Sequence, residues 1–210
     1  MLAPLTITLF MIMMQEEDEW KDKLSTLCDD ILVFILSLME RKEATRTCIL
    51  SRRWRYLATY FTDLNFDVDD LETMTLGCKR QLKPVKDLKP RFLNWVNQVV
   101  ALNRAPIIDE FRIHFPLDET DSSHLEAWIN FAILKQVQNL ELHLRSYTIT
   151  SHVWNGMSHL KSLSLKGVNI SGEVVELVSS RCHLLERLYI AQSYNLFKLK
   201  ILNLSSVKFT

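Results

Sequence analysis

The residues able to do chemistry are few, and their spacing gives them little to work with. Six histidines run from His114 to His183, and His143, His152 and His159 come closest to a cluster. A strand-like stretch and a turn separate them, and no carboxylate partner is evident. They read as surface or inter-repeat histidines rather than ligands. Cys28, Cys48, Cys78 and Cys182 are scattered, without the C-x-x-C spacing of a zinc or redox site. The chain lacks G-x-S-x-G, G-x-x-x-x-G-K-S/T and H-E-x-x-H, the arrangements that serve a serine hydrolase, a phosphate loop and a zinc peptidase. With only Gly77, Gly156, Gly167 and Gly172, it has no glycine-rich nucleotide loop. Ser and Cys nucleophiles have no recognisable partner. The expectation is a protein that is not an enzyme, with no cofactor and no metal.

One cluster of charge remains. Arg46, Arg52, Arg53 and Arg55 interleave with Trp54 and Tyr56, a combination that can serve nucleic acid. Asp29, Asp30, Glu40 and Glu43 lie in the same block, however. The whole chain balances 25 basic against 25 acidic residues, so no global field favours nucleic acid or an anionic membrane. A solvated helix face is the better reading.

The elements that must position these residues follow from composition and period. A chain of 210 residues with 48% hydrophobic and 24% charged residues fits one large or two modest domains with a sizeable core. Scattered cysteines suggest a reducing compartment, hence cytoplasm and/or nucleus, and make the sequons at Asn169 and Asn203 coincidental. Residues 1–14, MLAPLTITLFMIMM, are apolar but lack a basic flank, and QEEDEW follows in place of a small-residue cleavage site. The run is also short for a membrane span. Residues 1–21 are therefore expected to be a disordered or mis-assigned leader, with Met13 or Met14 as alternative initiators.

A helical block follows, at residues 22–62. Its first helix is expected to begin near Cys28, with Thr26 and Asp29 spaced as a capping box and two acidic residues at the positive end of the dipole. Ile31, Leu32, Phe34, Ile35, Leu36 and Leu38 then cover most of its circumference. A small core needs one such face, so the second asks for a partner. ERKEA breaks the pattern ahead of a short second helix through Cys48. Ser51 is placed to cap a third, with Trp54, Leu57, Ala58 and Phe61 on one side. Three helices in so few residues make a poor independent core.

Residues 63–90 read as a linker with little regular structure, and RFLNWVNQVVALN, at 91–103, as an amphipathic core helix. Beyond it IIDEFRIHF, VQNLELHL, LKSLSLKGVNI and LLERLYIAQ share an apolar-x-x-apolar-x-apolar form. Phe111, Leu140, Leu163 and Leu188 are then equivalent, at spacings of 29, 23 and 25 residues, within or at the edge of the leucine-rich-repeat period. Between them lie helical candidates, HLEAWINFAILKQ (Trp128, Phe131, Ala132, Lys135) and GEVVELVSSRCH. A further unit would fall at Leu199 or Leu202, only 11 or 14 residues on, so the repeat becomes irregular or stops there. The expected class is α+β: a small three-helix N-terminal unit, then a partial leucine-rich-repeat solenoid over residues 91–210, with parallel strands alternating with helices.

Leu27-x-Asp-x-Ile-Leu, Ile35-Leu36-Ser37, Lys42-Glu43-Ala44 and above all Leu50-Ser51-Arg52-Arg53-Trp54-Arg55-Tyr56-Leu57 resemble the F-box of plant F-box/leucine-rich-repeat proteins. WINFAILKQVQNLELHL and LKSLSLKGVNISGEVVELVSSRCHLLERLYI are similar to that family's repeats, in the branch that often carries an FBD domain. The resemblance implies the substrate-recognition subunit of an SCF-type (cullin–RING) ubiquitin ligase. Its F-box would dock a Skp-type adaptor and its repeats would hold a protein substrate, with no nucleic acid or membrane partner. By family position the adaptor-facing residues are Leu27, Cys28, Ile31, Leu32, Ile35, Leu50 and Trp54. Ile35, Leu50 and Trp54 have an equally good reading as core of the F-box alone. The family usually has Pro where Cys28 stands and is usually longer than a chain ending at Thr210. The first departure leaves an alternative, a non-ligase binding module with a degenerate F-box, and the second implies a truncated product or last repeats that pack on something else.

Overall fold

The computed structural model describes residues 23–39, 44, 47, 51–68, 85–149, 151–193 and 206–209. Helix α1 spans Asp29–Leu38 and α2 spans Arg52–Leu57. Strand β1, Asp63–Asp67, follows directly. Helix α3 is Val85–Leu102, β2 is Glu110–His114, α4 is Ser122–Leu134 and β3 is Asn139–Thr148. Then come β4, Ser162–Asn169, helix α5, Gly172–Arg181, and strands β5, Arg187–Ala191, and β6, Ser206–Phe209.

The six strands form one parallel sheet in sequential order, β1 to β6. Apolar residues set the register. Phe111, Leu140, Leu163 and Leu188 stand opposite one another as their spacing predicts, and Leu64 and Val207 extend the row at its two ends. A second row two residues on joins Phe66, Ile113, Leu142, Leu165 and Ile190. Alternation in a strand sends the β1–β5 members of both rows to the same side, where they are buried against α3, α4 and α5. Each strand is also tied to the last at its entry. The Asp109 amide donates to Thr62, Asn139 to Asp109, Lys161 to Gln138 and Glu186 to Lys161.

Three sequence expectations need correction. The span 63–90, read as a linker, opens with β1, whose Leu64 and Phe66 are buried beneath the sheet. The sheet therefore begins well before residue 91. The same span ends inside α3, which starts at Val85 and carries Pro90 within it. Proline removes one helical donor, but Pro90 is exposed, and the first turns are held by buried Leu88 and by Lys89, whose ammonium lies 2.7 Å from the buried Asp121 carboxylate. Lastly, the unit after β5 is β6, in register through Val207. Leu199 and Leu202 lie outside the described residues, as do residues 1–22 and most of the expected second helix.

The helical unit has its own small core of Leu32, Leu36, Ala44, Trp54 and Leu57, and Phe61 packs against both this core and the one under the sheet. Ser51 caps α2 as expected, accepting from the Trp54 amide at 3.2 Å. The expected Thr26–Asp29 capping box does not form. Thr26 closes a separate 3-10 turn, Lys23–Thr26, and the cap position falls to Cys28, which makes no side-chain cap bond. Gly167 is required where it stands. Its φ is +65°, and a Cβ there would lie 2.1 Å from the Leu144 carbonyl oxygen, at the place where the β3–β4 register shifts.

Candidate functional site

Helix α1 presents two faces because its apolar residues outnumber what one small core absorbs. Leu32 and Leu36 point inward and are fully buried. One turn around, Ile31, Phe34 and Leu38 are 47, 62 and 63% exposed and fall at i, i+3 and i+7, a single stripe. Leu27 and Ile35 are half-buried at its margin, packed against the small core, and Cys28 is exposed at the helix start. An apolar stripe of this kind is the shape of a helix-in-groove contact.

The start of α1 is fixed from α2. The Arg53 guanidinium donates to the Leu27 carbonyl and pairs with Asp29 at 2.7 Å. Arg53 is thus a clamp rather than part of a solvated basic face, while Arg52 and Arg55 are exposed and Arg46 lies outside the described residues. The unit is joined to the sheet region through Arg104, whose amide donates to Thr59 at 2.7 Å and whose guanidinium sits 5.2 Å over the Tyr56 ring. Tyr56 and Tyr60 share a hydroxyl hydrogen bond of 2.8 Å, which raises the Tyr60 pKa.

The residues expected to face an adaptor therefore divide. Cys28 and Ile31 lie on the surface, with Leu27 and Ile35 beside them. Leu32 and Trp54 belong to the core, because helical spacing puts Leu32 on the face opposite the stripe and α2 turns Trp54 under α1. Leu50 lies outside the described residues. Phe34 and Leu38, absent from that expected set, are the most exposed of the apolar residues on α1. The 3.6-residue period was the signal that could have found them.

A second cluster occupies the open face of the sheet. His114 ends β2, and Glu141 and His143 lie on β3, in the register that pairs His114 with His143. The two imidazoles stack at 3.9 Å with 8° between their planes. Both Nε2 atoms approach one oxygen, Glu141 Oε1, at 3.0 and 2.8 Å. His114 Nδ1 lies 3.2 Å from Asp67 Oδ2, and Arg112 Nε lies 2.8 Å from the second Glu141 oxygen. Burial, followed by the neighbouring His114, pulls the His143 pKa down. These three side chains are the group among the described residues whose donor atoms lie close enough together, within 4.8 Å, to hold a metal ion. Spacing along the sequence groups His143 with His152 and His159, with no evident carboxylate partner. The strand register, rather than proximity in sequence, makes the cluster. Around it the face is charged: Asp63, Asp67, Glu110 and Glu141 with Arg112 on β1–β3, and Lys166 and Arg187 on β4 and β5. Among the described residues, no helix is long and apolar enough to cross a membrane.

Comparison with known proteins bears on the first site. Residues 24–64 match the F-box domain, a span that contains α1, α2 and the clamp between them. The chain is similar to the F-box/LRR-repeat protein At3g03360 of Arabidopsis thaliana, at 29% identity over 88% of this chain and 40% of that protein. It is also similar to the F-box/LRR-repeat protein At3g59200, at 29% over 64% of this chain and 25% of the relative. The putative FBD-associated F-box protein At5g38570 of the same plant is 26% identical over 80% of this chain and 38% of its own length. The chain thus spans a quarter to two fifths of the relatives it matches. No solved structure matches it.

Proposed function

We propose, for a chain that carries an F-box domain and belongs with the plant F-box/LRR-repeat proteins, that it is the substrate-recognition subunit of an SCF-type ubiquitin ligase. F-box/LRR proteins are generally non-catalytic adaptors, and no enzyme family is indicated. In this reading the unit at residues 22–62 docks a Skp-type adaptor, which links it to a cullin–RING ligase. The sheet region holds a protein target. Its rate enhancement is one of effective concentration: target lysines are tethered near a ubiquitin-charged enzyme, so transfer becomes nearly intramolecular.

The observation that carries the proposal is the Ile31–Phe34–Leu38 stripe on α1, inside the span that matches the F-box. A small domain has no internal use for a second apolar face. The sheet region we read as a partial leucine-rich-repeat solenoid. Sequential parallel strands, in-register apolar rows and repeated entry hydrogen bonds support that reading. The charged open face would then meet the target through polar contacts, in the cytoplasm and/or nucleus.

Co-purification of the full chain with a Skp-type adaptor tests this. Wild type should retain the adaptor, and an Ile31→Asp, Phe34→Asp variant of unchanged circular dichroism should lose it. Equal, poor recovery from both would favour the second reading, a binding module that no longer docks. The uncapped Cys28 at the start of α1 is the observation behind that alternative.

A further inference from the structure

We propose that His114, Glu141 and His143 form a binding site for a divalent transition-metal ion of the zinc class on the open face of the sheet. The inference is independent of how the helical unit docks. Two imidazoles and one carboxylate suit borderline ions such as Zn²⁺ and Co²⁺ better than Mg²⁺ or Ca²⁺, which take oxygen. Tetrahedral coordination with metal–ligand bonds of about 2.0–2.1 Å sets ligand atoms roughly 3.3 Å apart. The two Nε2-to-Oε1 separations here, 3.0 and 2.8 Å, come within about half an ångström of that before any ion enters.

Two further features point to an ion. His143 Nε2 is shielded from solvent and has no aligned hydrogen bond, although Oε1 is 2.8 Å away. A lone pair aimed at the shared centre would account for it. The ligands are also oriented from behind. Asp67 accepts from His114 Nδ1, His114 Nε2 is turned to Glu141 Oε1 at 3.0 Å, where the ion would replace the proton of that hydrogen bond, and Arg112 holds the other oxygen of Glu141. Carboxylate–histidine–metal sites are built in this way. Lys166, the register partner of His143 on β4, and Arg112 oppose the added charge. Asp67, Glu110 and Glu141 offset them.

The test is titration of the purified full chain with Co²⁺, read by its visible absorption, followed by displacement with Zn²⁺. One equivalent should bind. His143→Ala and His114→Ala should abolish the signal, and so should Glu141→Gln, which preserves shape if an alanine variant fails to fold. Asp67→Asn should weaken binding about 10- to 100-fold, the usual cost of losing an outer partner. His159→Ala, at an exposed histidine outside the cluster, should leave it unchanged. No absorption from the wild-type protein, or a signal that survives Glu141→Gln and His143→Ala alike, would overturn the assignment.

Discussion

Beneath the sheet 35 buried residues form one cluster, whereas five form that of the helical unit, counted among the described residues. The larger region buries its apolar rows and turns a charged, hydrogen-bonding face to solvent. The smaller one leaves Ile31, Phe34 and Leu38 outside. Two parts of one chain thus offer surfaces of opposite chemistry, each following from how much core its elements can build. The described helices of so small a unit cannot enclose all its apolar residues, and the excess is left on the surface, where the proposed adaptor contact would form. A parallel sheet covered on one side by helices leaves the other face free for polar recognition.

The contrast predicts unequal costs for similar damage. Trp128 is buried among Phe92 and its neighbours, and its indole N–H donates to Asn97 at 2.8 Å. Trp128→Ala should cost about 3–5 kcal/mol, read by urea denaturation. Leu36→Ala in the small core should cost less, about 2 kcal/mol, because half-buried Val33, Ile35 and Met39 are free to settle into the gap. Adaptor at saturating concentration should restore much of that loss but none of the Trp128→Ala loss that arises under the sheet. Equal costs in the two regions would break the comparison.

Smaller effects sharpen it. Cys28 has φ −69°, which proline also adopts. Cys28→Pro should therefore strengthen adaptor binding by up to about 1 kcal/mol, roughly fivefold. An unchanged Kd would place this position away from the contact. Cys28 is exposed, while Cys182 is buried beneath the sheet with its thiol pushed up to about 11. Iodoacetamide at pH 8, mapped by mass spectrometry, should label Cys28 well ahead of Cys182. Comparable rates would mean that the core beneath the sheet does not shield Cys182 from the reagent.

Apolar spacing made much of this architecture legible, because the inward positions of parallel strands must be apolar and Phe111, Leu140, Leu163 and Leu188 repeat at usable intervals. Strand β1 escaped because DLNFD offers only two apolar residues, and Leu64 stands 47 residues before Phe111, outside any repeat period. The start of α3 escaped because Pro90 reads as a boundary, while the Lys89–Asp121 pair that offsets it joins distant segments. Ser51 was found as a cap because a cap is local. The His114–His143 pair was within reach: each lies three residues after an aligned position, Phe111 and Leu140. Sequence clustering favoured His152 and His159 instead. For α1, family position pointed to Leu32 and Trp54, whereas the helical period alone separates the buried face from Phe34 and Leu38.

The role of the α1 stripe is tested most directly by one measurement: the Kd of the full chain for a Skp-type adaptor, compared between wild type and Phe34→Asp. An exposed side chain can change with little effect on stability, within about 0.5 kcal/mol, whereas a residue central to an interface costs about 2 kcal/mol or more. The account predicts an unchanged unfolding midpoint and a loss of affinity of about thirtyfold or greater. Wild-type binding that Phe34→Asp leaves intact, or no binding by wild type at all, would contradict it.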